Sequence, residues 1–139
     1  MATTRIAKAL WEGTLHDGRG TVELVSSGVG TFPITWASRA ETPEARTSPE
    51  ELIAAAHASC FSMALSSGLA NAGNPAEYLD TSVEVDFQPG VGITEIRITL
   101  SGAAEGLDAA GFAAAAEVAK ANCPVSKALA AVPISLTVN

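Results

Sequence analysis

The stretch SPEELIAAAHASCFSMALSSGLANAGNP, Ser48 to Pro75, decides the fold. Ser48 is a natural helix N-cap, Pro49 suits the first helical position, and Glu51 completes a capping box three residues after the cap. Nothing interrupts the helix until Gly73-Asn74-Pro75, so the pattern predicts a helix of about 24 residues. It is apolar on most sides, which predicts a helix enclosed by other elements rather than one lying on a surface. Its apolar run, Leu52 to Leu65, is broken by His57, Ser59 and Ser62 and is too short for a membrane span.

Upstream of this helix the chain reads as strands. Ile6 to Leu15 alternates, His16-Asp17-Gly18 has hairpin chemistry, and Thr21 to Ser26 returns as a second strand. Thr31 to Trp36 follows the Gly28/Gly30 turn as a third. Arg39 to Thr47, with two Glu, two Arg and Pro43, reads as an exposed loop. Downstream, Val83, Val85 and Phe87 alternate with Glu84 and Asp86, and Ile96, Ile98 and Leu100 alternate with Glu95, Arg97 and Thr99. Pro89-Gly90 turns between the two runs. A second helix is predicted from about Leu107 to Ala121, with Asp108 near its cap. Pro124 can open a short helix to Ala131, and Pro133 to Val138 closes the chain as a strand. The order of strands, long helix, strands, helix and strand is α+β. We read residues 1–139 as one domain: N-terminal strands and loop over 1–47, the central helix over 48–73, and a β-β-α-β part over 78–139.

Composition narrows the function. The chain has 139 residues, eight Lys and Arg, fifteen Asp and Glu, and a net charge of -7. The eight basic residues are scattered, which argues against a nucleic-acid partner, since phosphate binding needs clustered cations. MATTRIAKAL, residues 1–10, lacks the apolar core of a secretory signal, and the expectation is a soluble, cytoplasmic protein with no membrane partner. Alanine fills 27 positions and aromatics only 5%. Alanine buries little area, so the core of one chain is thin, and a second copy could supply the missing burial.

The two cysteines, Cys60 and Cys123, carry the most chemical information. Cys60 lies mid-helix on the face of Ile53, His57 and Ala64. Burial there would raise its pKa and leave it inert unless a cation comes from elsewhere. Cys123 precedes Pro124 at the start of a short helix, where unpaired N–H groups favour a thiolate. Three joint readings compete. One is a redox pair, in which one thiol is oxidised and the other resolves it. Another is metal binding by Cys60, Cys123, His57 and His16, whose spacing fits no zinc motif. The last is a Cys–His nucleophile pair of Cys60 and His57, which lacks an evident orienting Asn or Asp. Taken alone, His57 reads as a hydrogen-bonded core residue.

SPEELIAAAHASCFSMAL (Ser48–Leu65) resembles the signature helix of the OsmC/Ohr family of organic hydroperoxide reductases. NCPVS (Asn122–Ser126) resembles its second cysteine motif, and WEGTLHDGRGTV (Trp11–Val22) resembles the first hairpin of the OsmC branch. The match runs along nearly the whole chain in order. The resemblance implies an OsmC-like fold: an intertwined homodimer with two long cysteine-bearing helices at its centre, wrapped by antiparallel sheets. It implies a thiol peroxidase of oxidative and osmotic stress defence that reduces organic hydroperoxides to alcohols, and hydrogen peroxide less well. Cys60 would be the peroxidatic cysteine, Cys123 the resolving one, and Glu50 the family's glutamate. Arg39 matches the arginine of the OsmC branch, whereas Arg19 stands where the Ohr branch has its own. The oxidised form would be a Cys60–Cys123 disulfide, reduced by an external dithiol, of lipoyl type in the family. No metal, haem or flavin is implied. Phe61 and Met63 could favour an organic substrate, although core packing is the plainer reading of each. A non-catalytic stress or ligand-binding dimer with structural cysteines is the alternative.

Overall fold

The computed structural model describes residues 1–139. The backbone clusters into two units, residues 1–50 and residues 51–139.

The first unit is a three-stranded antiparallel sheet and a short helix. Strand β1 (Lys8–Glu12) pairs with β2 (Arg19–Glu23), which pairs with β3 (Thr31–Ile34). The hairpin turn falls at the expected His16-Asp17-Gly18, closed by Gly18 N–H donating to the Thr14 carbonyl. Gly18 is needed there, because a Cβ would collide with the Thr14 carbonyl oxygen. The strands are shorter than their alternation predicted. The predicted continuation of β3 to Trp36 is replaced by a helical turn, α1 (Trp36–Ala40). Its cause is a capping box: Thr35 Oγ1 accepts from Ser38 N–H at 3.1 Å, and Ser38 Oγ accepts from Thr35 N–H at 3.0 Å. The box uses Ser at its last position instead of Glu or Gln, so the sequence does not advertise it. The start of the stretch read as a loop, with Arg39, therefore lies on this helix.

Helix α2 (Pro49–Asn71) begins at the expected proline. It ends where Gly73 adopts φ +81°, with Asn74 N–H reaching back to the Leu69 carbonyl at 2.9 Å. That left-handed residue and the backward bond form a Schellman-type stop, which only glycine accepts without strain.

In the second unit α2 packs on a three-stranded sheet of β4 (Ala76–Gln88), β5 (Gly92–Ala104) and β6 (Ile134–Val138). Helices α3 (Ala109–Asn122) and α4 (Pro124–Ala128) connect β5 to β6. Asp108 caps α3 as predicted, its Oδ1 accepting from Gly111 N–H at 2.8 Å. β4 and β5 are antiparallel, whereas β6 runs parallel to β5. A crossover through two helices returns the chain in the same direction, so this sheet is mixed where antiparallel pairing throughout was expected.

The alternation of β5 is realised closely: Ile96, Ile98 and Leu100 are buried, and Arg97 faces out across to Glu84, Asp86 and Glu95. Against them lies an i, i+4 stripe of α2, with His57, Phe61, Leu65 and Leu69 all buried. The opposite side of α2 does not meet the expectation of enclosure. Met63 is 71% exposed, and Ser59, Ser66, Ser67 and Ala70 are open beside it. One sheet can cover only one stripe of a helix. Helix α2 has the length and mean hydropathy, 1.4, of a membrane-crossing segment, but its large apolar side chains Phe61, Leu65 and Leu69 pack into this core. Truncating Phe61 to Ala should lower unfolding free energy by about 3–5 kcal/mol, the cost of an aromatic removed from a packed core. Urea titration reads this directly, and a loss of only a few tenths would show that the stripe does not hold the unit together.

Candidate active site

The first unit presents an arginine and a carboxylate as a fork. Arg39 sits in the last turn of α1, and Glu50 is the second residue of α2. Arg39 Nε donates to Glu50 Oε1 at 3.0 Å and to Oε2 at 3.2 Å, and its NH2 group donates to Oε1 at 2.8 Å. The Glu50 side chain is 7% exposed and that of Arg39 32%. A buried carboxylate held by two guanidinium nitrogens fixes the arginine plane more firmly than a single contact does. Trp11, Leu15, Ile34, Thr35, Trp36 and Pro49 join Arg39 around a cleft of about 280 Å³. Its walls are largely apolar, with the guanidinium at one side. Arg19, the other candidate arginine, is exposed at the start of β2, in register with Glu12. His16 packs edge-on against Trp36, with ring centres 5.7 Å apart.

The second unit brings the two cysteines together. Both thiols are free. Cys60, in α2, is half-buried, and Cys123, at the junction of α3 and α4, is 0% exposed. Cys60 packs against the core cluster that contains Cys123, and each thiol influences the ionisation of the other. Burial pushes the Cys60 thiol up, and its contact with Cys123 pushes it further, against a smaller opposing effect of the Val125 N–H. At Cys123 burial also opposes ionisation. It is outweighed by the Ser126 N–H, the Cys60 thiol, the Ser126 hydroxyl and the Val125 N–H, so the net direction is down. The sulfur closes no formal side-chain cap on α4. The two environments thus push the thiols in opposite directions, Cys60 up and Cys123 down.

Next to the pair is His57, one turn before Cys60 and fully buried. Its Nε2 lies 2.7 Å from Ser126 Oγ. Burial holds the imidazole below its ordinary pKa, so the ring is neutral at pH 7. The expectation of a hydrogen-bonded core histidine is met, with a partner 69 positions away. Of the apolar neighbours singled out in the sequence, Phe61 is wholly in the core and Met63 faces away from it.

Comparison with known proteins identifies the family. The family model of OsmC-like proteins matches residues 42–138. The chain belongs to the OsmC-like family. It is 41% identical over 134 residues to peroxiredoxin OsmC of Escherichia coli, covering 94% of this chain and 93% of the relative. Among solved structures, an organic hydroperoxide resistance protein OsmC of Legionella pneumophila is similar with a TM-score of 0.73. It is 26% identical, over 100% of this chain and 98% of that one. The organic hydroperoxide resistance protein OhrB of Bacillus subtilis is similar with a TM-score of 0.66, at 26% identity, over 96% and 98% of the two chains. The fold is the α+β fold of OsmC and Ohr proteins, built around a long cysteine-bearing helix.

Proposed function

We propose that this OsmC-like protein is a cysteine-based peroxidase that reduces organic hydroperoxides in oxidative and osmotic stress defence. The observation that carries the reading is a pair of free thiols gathered in one core cluster, one half-exposed and one fully buried. A peroxide can reach Cys60 from solvent, and Cys123 waits behind it. Membership in a family whose relative is a peroxiredoxin supports the same chemistry.

In this mechanism the Cys60 thiolate attacks the distal oxygen of ROOH. The O–O bond breaks, RO⁻ leaves and takes a proton to become ROH, and Cys60 becomes a sulfenic acid. The Cys123 thiolate then attacks the Cys60 sulfur. The S–S bond forms, the S–O bond breaks, and the departing hydroxide takes a proton to become water. An external dithiol reduces the disulfide by two exchange steps and is itself oxidised to a disulfide. A lipoyl-type dithiol is the class we assign.

Arg39 and Glu50 complete the assignment. Burial pushes the Cys60 thiol up, so peroxide attack needs a cation that favours its thiolate. The forked Arg39, held by Glu50, is the cation we assign, and the apolar cleft beside it suits the organic part of the substrate. Large side chains left exposed, among them Met63, Tyr78 and Leu10, support a homodimer that covers them. A cytoplasmic location, where thiols are kept reduced, is the one we assign.

Intact mass after one equivalent of cumene hydroperoxide tests the reading. The wild-type chain should lose two hydrogens, and Cys123→Ser should gain one oxygen. Unchanged mass in both would favour the non-catalytic dimer with structural cysteines.

A further inference from the structure

His57 is a buried titratable group that the peroxidase cycle above leaves without a task. Its ring is closed off from solvent, its Nε2 meets Ser126 Oγ at 2.7 Å, and its Nδ1 is buried with no partner. The orphan nitrogen assigns the tautomer. A buried N–H without an acceptor is a fully lost hydrogen bond, whereas a bare ring lone pair costs less. The proton therefore sits on Nε2, which donates to Ser126 Oγ. Ser126 has then used an oxygen lone pair, and its own O–H is free to donate onward.

The topology determines where that hydroxyl acts. His57 is three residues before Cys60 on α2, and Ser126 is three residues after Cys123 on α4. The hydrogen bond thus ties together the two segments that carry the thiols. Cys123 is the N-cap residue of α4 and Ser126 the third residue of that turn, both buried, with His57 behind Ser126; the lowering of the Cys123 thiol agrees with donors on this turn. The titratable groups in the cluster are therefore Cys60 and His57 on α2, and Cys123 itself.

We propose that His57 and Ser126 are positioning residues for the resolving half of the cycle: the His57 Nε2–H orients the Ser126 hydroxyl so that its hydrogen faces the Cys123 sulfur and holds it as the nucleophile that attacks the Cys60 sulfenic acid. This inference rests on the peroxidase reading. No proton passes through His57. Cys123 gives its proton to solvent before attack, and the hydroxide leaving Cys60 takes one back from solvent. The imidazole stays neutral throughout, as its burial requires.

The test separates this claim from the peroxidase reading. In a Cys60→Ser background, which keeps a hydroxyl donor beside Cys123, thiolate absorbance is followed against pH. Adding Ser126→Ala should raise the Cys123 titration by about one pH unit, a tenfold fall in thiolate below the midpoint, on the scale of one lost donor to a charged sulfur. Ser126→Thr, which keeps the hydroxyl, should restore it. His57→Leu should move it in the same direction as Ser126→Ala, and His57→Gln, which retains an N–H donor, should recover part of the effect. In the two-cysteine chain, Ser126→Ala should slow sulfenate-to-disulfide conversion about tenfold at pH 7 without slowing the peroxide step. A Cys123 titration unmoved by Ser126→Ala overturns the donor chain whatever the peroxidase assay gives. Equal slowing of both steps overturns the resolving role, because a merely structural loss would do that. A titration that moves in a protein consuming no hydroperoxide supports the donor chain and overturns the peroxidase reading, together with the resolving role.

Discussion

Cys60→Ser should reduce hydroperoxide turnover by about 10⁴-fold or more, the scale seen when a covalent nucleophile is removed from a catalytic unit. A serine hydroxyl in this setting has no base to activate it, because the nearest imidazole, His57, is committed to Ser126. Cys123 cannot substitute, since its sulfur is fully buried. Cys123→Ser should behave differently. Its first turnover should proceed at near the wild-type rate, and consumption should then stop at about one equivalent per chain with the sulfenic acid trapped. Stopped-flow consumption of cumene hydroperoxide, with a dithiol present, separates the two. Sustained turnover by Cys60→Ser would remove Cys60 from the mechanism. Sustained turnover by Cys123→Ser would mean that the external thiol attacks the sulfenic acid directly.

The division of labour between the thiols shows what a linear reading can and cannot reach. The Pro49 start and Gly73 stop of α2, the alternation of β5 and the Asp108 cap are local patterns spanning a few residues, and each was legible. The helical turn carrying Arg39 was not. Its capping box ends in Ser38 instead of an acid or amide, and the turn follows directly on a strand. The direction of β6 was also hidden, since a short strand after two helices can pair either way until the crossover is traced. Composition could not connect Cys60 with Cys123, 63 positions apart. A redox pair was one of three open readings until the resemblance favoured it, and the packing of α2 against the α3–α4 junction gathers both cysteines in one cluster. The His57–Ser126 bond is the clearest case. His57 was legible as a buried polar residue, but its partner is found only in the three-dimensional arrangement.

The same distinction governs the arginine. Glu50 is nearly buried, and its carboxylate is met by Arg39 through Nε and NH2. Arg39→Ala should lower the peroxide rate by about 10²-fold, the scale of one charged group that stabilises the reacting thiolate and developing alkoxide. It should also raise the Cys60 titration, measured by thiolate absorbance in a Cys123→Ser background. Arg39→Lys should recover little of either, because an ammonium cannot make the two-nitrogen fork to Glu50. Glu50→Gln should fall between, keeping an acceptor for the fork but losing the charge that anchors it. If Glu50 acts by holding Arg39, the double variant Arg39→Ala/Glu50→Ala should be no slower than Arg39→Ala alone, since each change removes the same unit. Additive losses would give Glu50 a role of its own. An Arg39→Ala protein with unchanged rate and unchanged Cys60 titration would remove Arg39 from the assignment. Arg19→Ala, measured in parallel, then becomes the decisive comparison, because Arg19 lies on β2 and takes no part in the fork at Glu50. A guanidinium matters to a buried thiol only where its plane is held. Arg39 has that constraint in three hydrogen bonds to one carboxylate.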